Sequence, residues 1–191
     1  MFLLIIAILG IVIGIIFSNI LSAPDEKLVY TKLTTFFNNL KDDVKIDYWK
    51  NLLEILKNNF LYLGCILIFG ISIIGLVLNN FILFFKSFIL GFSIGGIISI
   101  YLYQGLILSF VYVFPSLIIN LLLYLIAVYY ANMFSLNLFD VLFRKKSFNF
   151  PPFIKRYFKI FGILACLLFI SSLLETFLTP FLLKLFSFLI K

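Results

Sequence analysis

The sequence predicts an all-α, polytopic membrane protein. It reads as a single integral membrane domain, 1–191, with about five transmembrane helices and an amphipathic extracytoplasmic helical segment after the first. Three observations predict this. Hydrophobic residues make up 64% of the chain and mean hydropathy is +1.21. Charged residues are only 12%, where a soluble domain carries about 25%. The charges are also clustered: from Asn58 to Phe139 the only one is Lys86. Apolar runs of that length suit a bilayer, whose hydrocarbon core takes roughly 20 helical residues to cross.

The first span, about 2–22, has no charged side chain before Asp25. A cleaved signal peptide fits it poorly, because no basic segment precedes the apolar run and Pro24 follows a weak cleavage site. Residues 24–57 then hold six acids and six bases. Pro24-Asp25-Glu26 is a helix start signal. Val29, Leu33, Phe36, Phe37 and Leu40 recur at helical spacing behind it. Asp42-Asp43 breaks the pattern, and Asp47 can cap a second helix with Trp49, Leu52, Leu53 and Leu56 on its apolar face. Two amphipathic helices here would lie along the bilayer, with Tyr48 and Trp49 at headgroup depth. They read either as a cap over the bundle or as a docking platform, with Lys27, Lys32 and Asn38 turned away from the lipid.

Further spans are expected at about 59–79, 81–103 and 106–132, with turns near Asn79-Asn80 and Tyr103–Gly105. A basic loop, 134–158, follows, broken by Pro151-Pro152. The last span is expected at 160–180. The positive-inside rule compares Lys and Arg on the two sides, and the total is eight against seven. Clustering decides instead. Over 140–159, Arg144, Lys145, Lys146, Lys155, Arg156 and Lys159 are dense and nearly unopposed, so the basic loop is placed in the cytoplasm. The N-terminus is then cytoplasmic, and 24–57 and the C-terminus are extracytoplasmic.

Within the spans, Ser87, Gly91, Gly95 and Ser99 form a ridge of small residues four apart, and Gly10, Gly14 and Ser18 form another. In lipid such ridges let backbones approach closely. They read as packing within one subunit or as a homodimer seam. With a turn at Asn79-Asn80, Lys86 would sit one to two turns inside its helix and lift its ammonium to the interface. Pro115 would kink its span and free a carbonyl. Glu175 is either functional, as intramembrane carboxylates are by default, or an interfacial cap. Lys86 and Glu175 are expected on opposite sides of the membrane and unpaired.

Enzyme chemistry finds little support. The chain has no histidine, no P-loop and no dinucleotide-binding glycine signature, and no cofactor, metal or nucleic-acid partner is expected. Cys65 and Cys166 lie in apolar runs and read as small packing residues. A small transporter or channel subunit using Lys86, Asn120 and Glu175 is the alternative. A carrier ought to show inverted repeats, and none is convincing. A bare structural scaffold is a third reading.

The order of these features resembles the stage II sporulation protein M family. That family has an asparagine before its second span, then G-x-S-x-x-G, a lysine eleven residues after the last glycine, and a glycine-rich continuation. Here these are Asn59, Gly70-Ile71-Ser72-Ile73-Ile74-Gly75, Lys86 and Gly91-Phe92-Ser93-Ile94-Gly95. Gly105, Ser109 and Pro115 match a later glycine, serine and proline, and Ser172, Glu175 and Pro180 match S-x-x-E-x-x-x-x-P. The chain departs at Ser87, where a glycine is usual, and at Ser116-Leu117, where amides are usual. The resemblance implies a non-enzymatic component of the forespore engulfment machinery. It would anchor two extracytoplasmic peptidoglycan hydrolases, an amidase and a lytic transglycosylase, through the outer faces of 24–57, while Lys86, Glu175 and the glycine ridge hold the bundle.

Overall fold

The computed structural model describes residues 1–21, 23–41, 47–114, 116–144 and 150–185. Six helices follow in chain order: α1 (Phe2–Ser18), α2 (Ala23–Lys41), α3 (Tyr48–Gly70), α4 (Gly75–Val113), α5 (Ser116–Arg144) and α6 (Phe150–Leu185). There is no strand among the described residues. α3, α4, α5 and α6 are each long and apolar enough to cross a membrane. α1 is a shorter apolar helix of 17 residues, rising about 25 Å against a hydrocarbon core of about 30 Å.

The main core lies along α3 to α6. α5 supplies Tyr124, Ala127, Val128 and Ala131, all buried, at the 3–4 residue spacing of one helix face. Leu63 and Ile66 of α3, Leu83 of α4, and Leu164 and Leu168 of α6 close on it. A second, smaller cluster sits at one end of the bundle, where Ile97, Leu108, Val111 and Leu183 are buried with Leu33, Tyr101, Tyr112 and Leu182 packed around them.

Several helix ends differ from the sequence expectation, each for a local reason. Asn79-Asn80 is not a turn, because α3 already ends at Gly70 and α4 begins at Gly75. A side chain at Gly75 would collide with the Phe69 carbonyl, so glycine is what lets the chain reverse this tightly. The Ser135 hydroxyl then bonds the exposed ends of the turn, donating to Gly70 O at 2.9 Å or Ser72 O at 2.8 Å. The expected second surface helix is the outer part of α3, which runs unbroken from its cap at Asp47, whose carboxylate accepts from Lys50 N at 3.1 Å. Nothing between Tyr48 and Gly64 breaks a helix. Of its expected apolar face, Leu52 is buried, whereas Trp49 and Leu53 are exposed.

Most of the expected loop 134–158 is also helical. Residues 134–144 end α5 and 150–158 start α6. Pro151 and Pro152 fall in the first turn of α6, where a missing N–H costs nothing. Pro180 likewise lies inside α6. The expected kink at Pro115 lies outside the described residues. The break expected near Tyr103 occurs at Leu102, which has φ 48 and ψ −124. It divides α4 into a long arm, 75–101, and a short arm, 103–113. A side chain at Gly105 would meet Ile97 O at 2.6 Å and Ile98 Cα at 2.8 Å, so the short arm folds straight back onto the long one. Leu102 holds a conformation that suits glycine, at a strain of roughly 1–3 kcal/mol.

α1 lies along the long arm of α4. Its buried residues are Ala7, Gly10, Gly14 and Ser18, one per turn of a single seam. A Cβ at Gly10 would come within 2.8 Å of Phe84 O and of Ser87 Cβ, and one at Gly14 would strike Phe88 O. From the other side, a Cβ at Gly91 would strike Ile11 O, and one at Gly95 the Ser18 hydroxyl. Later residues of α1 meet later residues of α4, so the two helices run parallel. Ser99 closes the seam by donating to Asn19 Oδ1 at 2.9 Å or to Gly95 O. The two small-residue ridges therefore face each other within one chain.

The seam can be tested by size. Gly91→Leu and Gly14→Leu should each lower the melting temperature in detergent, since overpacking costs about 1–3 kcal/mol and the obstructing atoms here are backbone. Gly162 is the control, because a Cβ added there would have nothing within 4 Å. Gly162→Ala should hold or raise stability by up to about 1 kcal/mol. Equal behaviour of all three variants would mean that the seam does not hold α1.

Candidate functional site

The polar side chains of the spans converge. Lys86 lies on α4, 11 residues beyond Gly75, and so about 16 Å from the 71–74 turn at 1.5 Å per residue. Asn59 lies 11 residues before Gly70 on the antiparallel α3, at a similar depth. Both positions follow from the turn at 71–74. A turn eight residues later would have left Lys86 near the surface.

Glu175 of α6 meets this level from the far side of the bundle. Its Oε2 accepts from Asn120 Nδ2 of α5 at 2.9 Å. The Lys86 ammonium is within electrostatic reach of the same carboxylate. It sits 4.3 Å from the centre of the Tyr62 ring and 5.3 Å from that of Tyr124, a geometry in which the ring faces attract a cation. The expectation that Lys86 and Glu175 lie on opposite sides of the membrane is thus overturned, because it rested on the misplaced turn; the ammonium rests on the two rings, without a direct ion pair to the carboxylate.

Asn59 joins the helices. It is buried, its Nδ2 donates to the Ser172 hydroxyl at 3.0 Å, and its Oδ1 accepts from the Tyr124 hydroxyl at 2.8 Å. Ser172 passes the bond on to Leu168 O at 2.8 Å. Four helices therefore contribute: Asn59 and Tyr62 from α3, Lys86 from α4, Asn120 and Tyr124 from α5, and Ser172 and Glu175 from α6. Two further bonds lie above and below. Ser116 and Thr179 share a hydroxyl contact of 3.1 Å, and Asn132 Nδ2 donates to Asn80 Oδ1 at 2.8 Å. The pair Asn79-Asn80, which suggests a turn in sequence, is inside α4, with Asn80 serving as an interhelical contact.

The remaining sequence candidates are dispersed. Lys27 and Lys32 are exposed on α2 and take no part in the hydrogen bonds of the polar cluster, while the side chain of Asn38 lies outside the described residues. Val29 and Leu33 of α2 approach Gly96, at 3.7 and 3.4 Å from its Cβ position. Phe36, Phe37 and Leu40 lie outside the described side chains. Cys65 and Cys166 are free thiols, and Cys166 is exposed rather than packed. No group of three or more potential metal ligands occurs among the described residues.

Sequence reasoning missed Tyr62 and Tyr124 as partners of Lys86. A signal was present. Ser172, Glu175, Thr176 and Thr179 recur at helical spacing on an otherwise apolar α6, and Asn120 and Tyr124 are four apart on α5. Two polar stripes on neighbouring spans point to contact between them.

A charge set among apolar helices is costly unless an opposite charge lies near it. Lys86 and Glu175 are half-buried and act on each other through space. Lys86→Met and Glu175→Gln should therefore each destabilise the protein, and the double variant should lose less than the two losses combined, by a coupling of roughly 0.5–3 kcal/mol. A double-mutant cycle on detergent unfolding measures the difference. Additive losses would mean that the two charges do not interact.

A model of the family described as stage II sporulation protein M matches residues 3–180 of the chain. No curated protein and no solved structure matches it.

Proposed function

The chain belongs to the stage II sporulation protein M family, and from that premise we propose that it is a non-enzymatic membrane anchor that localises peptidoglycan hydrolases during septal wall remodelling and forespore engulfment. The observation that carries this reading is the division of labour along the chain. Asn59, Asn120, Tyr124, Ser172 and Glu175 hydrogen-bond one another across three helices with Lys86 of a fourth beside them, as suits a structural bundle, although Asn79 and Ser87 are buried there without hydrogen-bond partners. α2, by contrast, touches the bundle through Val29 and Leu33 and leaves Lys27, Thr31 and Lys32 exposed.

The partners are an amidase and a lytic transglycosylase outside the cytoplasm, and α2 is the surface that receives them. This requires α1 to enter from the cytoplasm, with α2 and the start of α3 outside and the basic 144–159 region inside. Single cysteines in place of Asn38 and Ser147, in a background lacking Cys65 and Cys166, report on this. A membrane-impermeant thiol reagent should label the first in intact cells and spare the second. The reverse pattern would put α2 in the cytoplasm, away from any wall enzyme.

Docking is tested by changing Lys27, Lys32 and Asn38 together to alanine. Exposed substitutions usually shift stability by no more than about 0.5 kcal/mol, so the bundle should remain folded. Co-purification of the hydrolases should fall, and in a sporulating host membrane migration should stall. A second reading, a small transporter, draws on the Lys86–Glu175 pair, since intramembrane charges often mark solute or ion paths. It requires Lys86→Met or Glu175→Gln to abolish a solute flux in vesicles. Full hydrolase capture by the triple variant together with such a loss would replace the anchor with the transporter.

A further inference from the structure

The bundle is unequal at its two ends. At the 71–74 end, α3 and α4 are joined by four residues. At the other end three extra elements crowd in: α2, the outer part of α3 and the short arm of α4. The smaller hydrophobic cluster ties α2 and the short arm to the bundle there, combining Leu33 of α2, Ile97 and Tyr101 of the long arm, Leu108, Val111 and Tyr112 of the short arm, and Leu182 and Leu183 of α6.

The short arm is the informative piece. Its 11 residues rise about 16 Å, near half of a hydrocarbon core of about 30 Å, so it cannot cross. The long arm of 27 residues rises about 40 Å, which carries the reversal at Leu102 into the headgroup layer. From there the short arm returns toward the lipid. Gly105, Leu108, Val111 and Val113 face the bundle, while Tyr103, Leu106, Ile107, Phe110 and Phe114 are exposed. That outer face has no charge and is continuous with the lipid-facing surface of the spans. Exposed Tyr30, Tyr48 and Trp49 lie at the same end, as aromatic side chains do at a membrane interface.

We propose that the short arm of α4 forms a wedge in one leaflet, so that the protein favours membrane that is convex on that side. The occupant of the exposed face is acyl chain. Helices inserted at the headgroup–acyl boundary enlarge only the leaflet they enter, and their binding responds to curvature. At the opposite end α5 and α6 continue past the 71–74 turn as straight extensions of their spans, and no described helix there folds back as the short arm does, so the two leaflets receive unequal inserted area. The proposal does not depend on what docks on α2.

The test uses the full chain, fluorescently labelled and reconstituted into small and large vesicles of phosphatidylethanolamine and phosphatidylglycerol. Protein density per unit area is read vesicle by vesicle, with the orientation of α2 scored by an impermeant thiol reagent. Molecules with α2 outside should be about twofold or more denser on small vesicles, and inverted molecules should be depleted there. Leu106→Ser with Phe110→Ser should abolish the difference while hydrolase capture persists. Should that pair fail to fold, Ile107→Ser alone should reduce it. The Lys27, Lys32 and Asn38 alanine variant should sort by size as the parent does. Equal densities on both sizes in both orientations, or full sorting by a folded Leu106/Phe110 variant, would overturn the proposal.

Discussion

Lipid offers no hydrogen bonds, so a polar group carried into it gains most from a partner within the protein. This constraint organises the bundle. Asn59 is the hub, since its amide reaches α5 through Tyr124 and α6 through Ser172. Glu175 draws in Asn120 from α5 and the electrostatic field of Lys86 from α4. Apolar packing between these helices is interchangeable with lipid packing and specifies register weakly. The polar contacts are few and directional, so they fix which helices are neighbours and at what height.

Height, in turn, depends on the 71–74 turn. Gly75 permits a reversal that any larger residue would block, and the position of that reversal places Asn59 and Lys86 at the same depth on antiparallel helices. The glycine–serine–glycine stretch and the charged residues therefore act together. The stretch sets the lengths of α3 and α4, and those lengths bring the polar atoms level. The cation–π contacts with Tyr62 and Tyr124 complete the surroundings of Lys86 with groups that are apolar by composition yet attract charge.

Much of this was legible in the sequence and some was not, for physical reasons. Composition and charge spacing are enough for an all-helical membrane protein, because a bilayer imposes its own length and polarity rules. The small-residue ridges of α1 and α4 were legible as ridges, but one helix periodicity cannot say which other ridge it meets. Asn79-Asn80 misled because asparagine serves turns and interhelical bonds equally well, and only the tertiary contact with Asn132 separates the two. The error then propagated: a turn displaced by eight residues moved Lys86 from the interior to the surface and parted it from Glu175. Proline misled similarly at Pro151-Pro152, where the first turn of a helix tolerates what its middle does not. The break near Tyr103 was legible from span length, but its placement on Leu102 was not, since nothing in a leucine announces a positive φ.

The seam between α1 and α4 has a consequence for how the protein is made. α1 touches the rest of the bundle almost entirely through α4. Its seam residue Gly14 is separated from Gly91 by about 75 residues, which is several seconds of synthesis at about 5–20 residues per second. During that interval α1 has been made but its partner helix has not. Its composition suits the wait. It has no charged side chain, and the surface it later hides is mostly glycine and alanine, which leaves little to attract a chaperone or a wrong helix. Such a segment can diffuse freely and be captured late, when a matching groove appears, so the order of translation need not match the order of assembly.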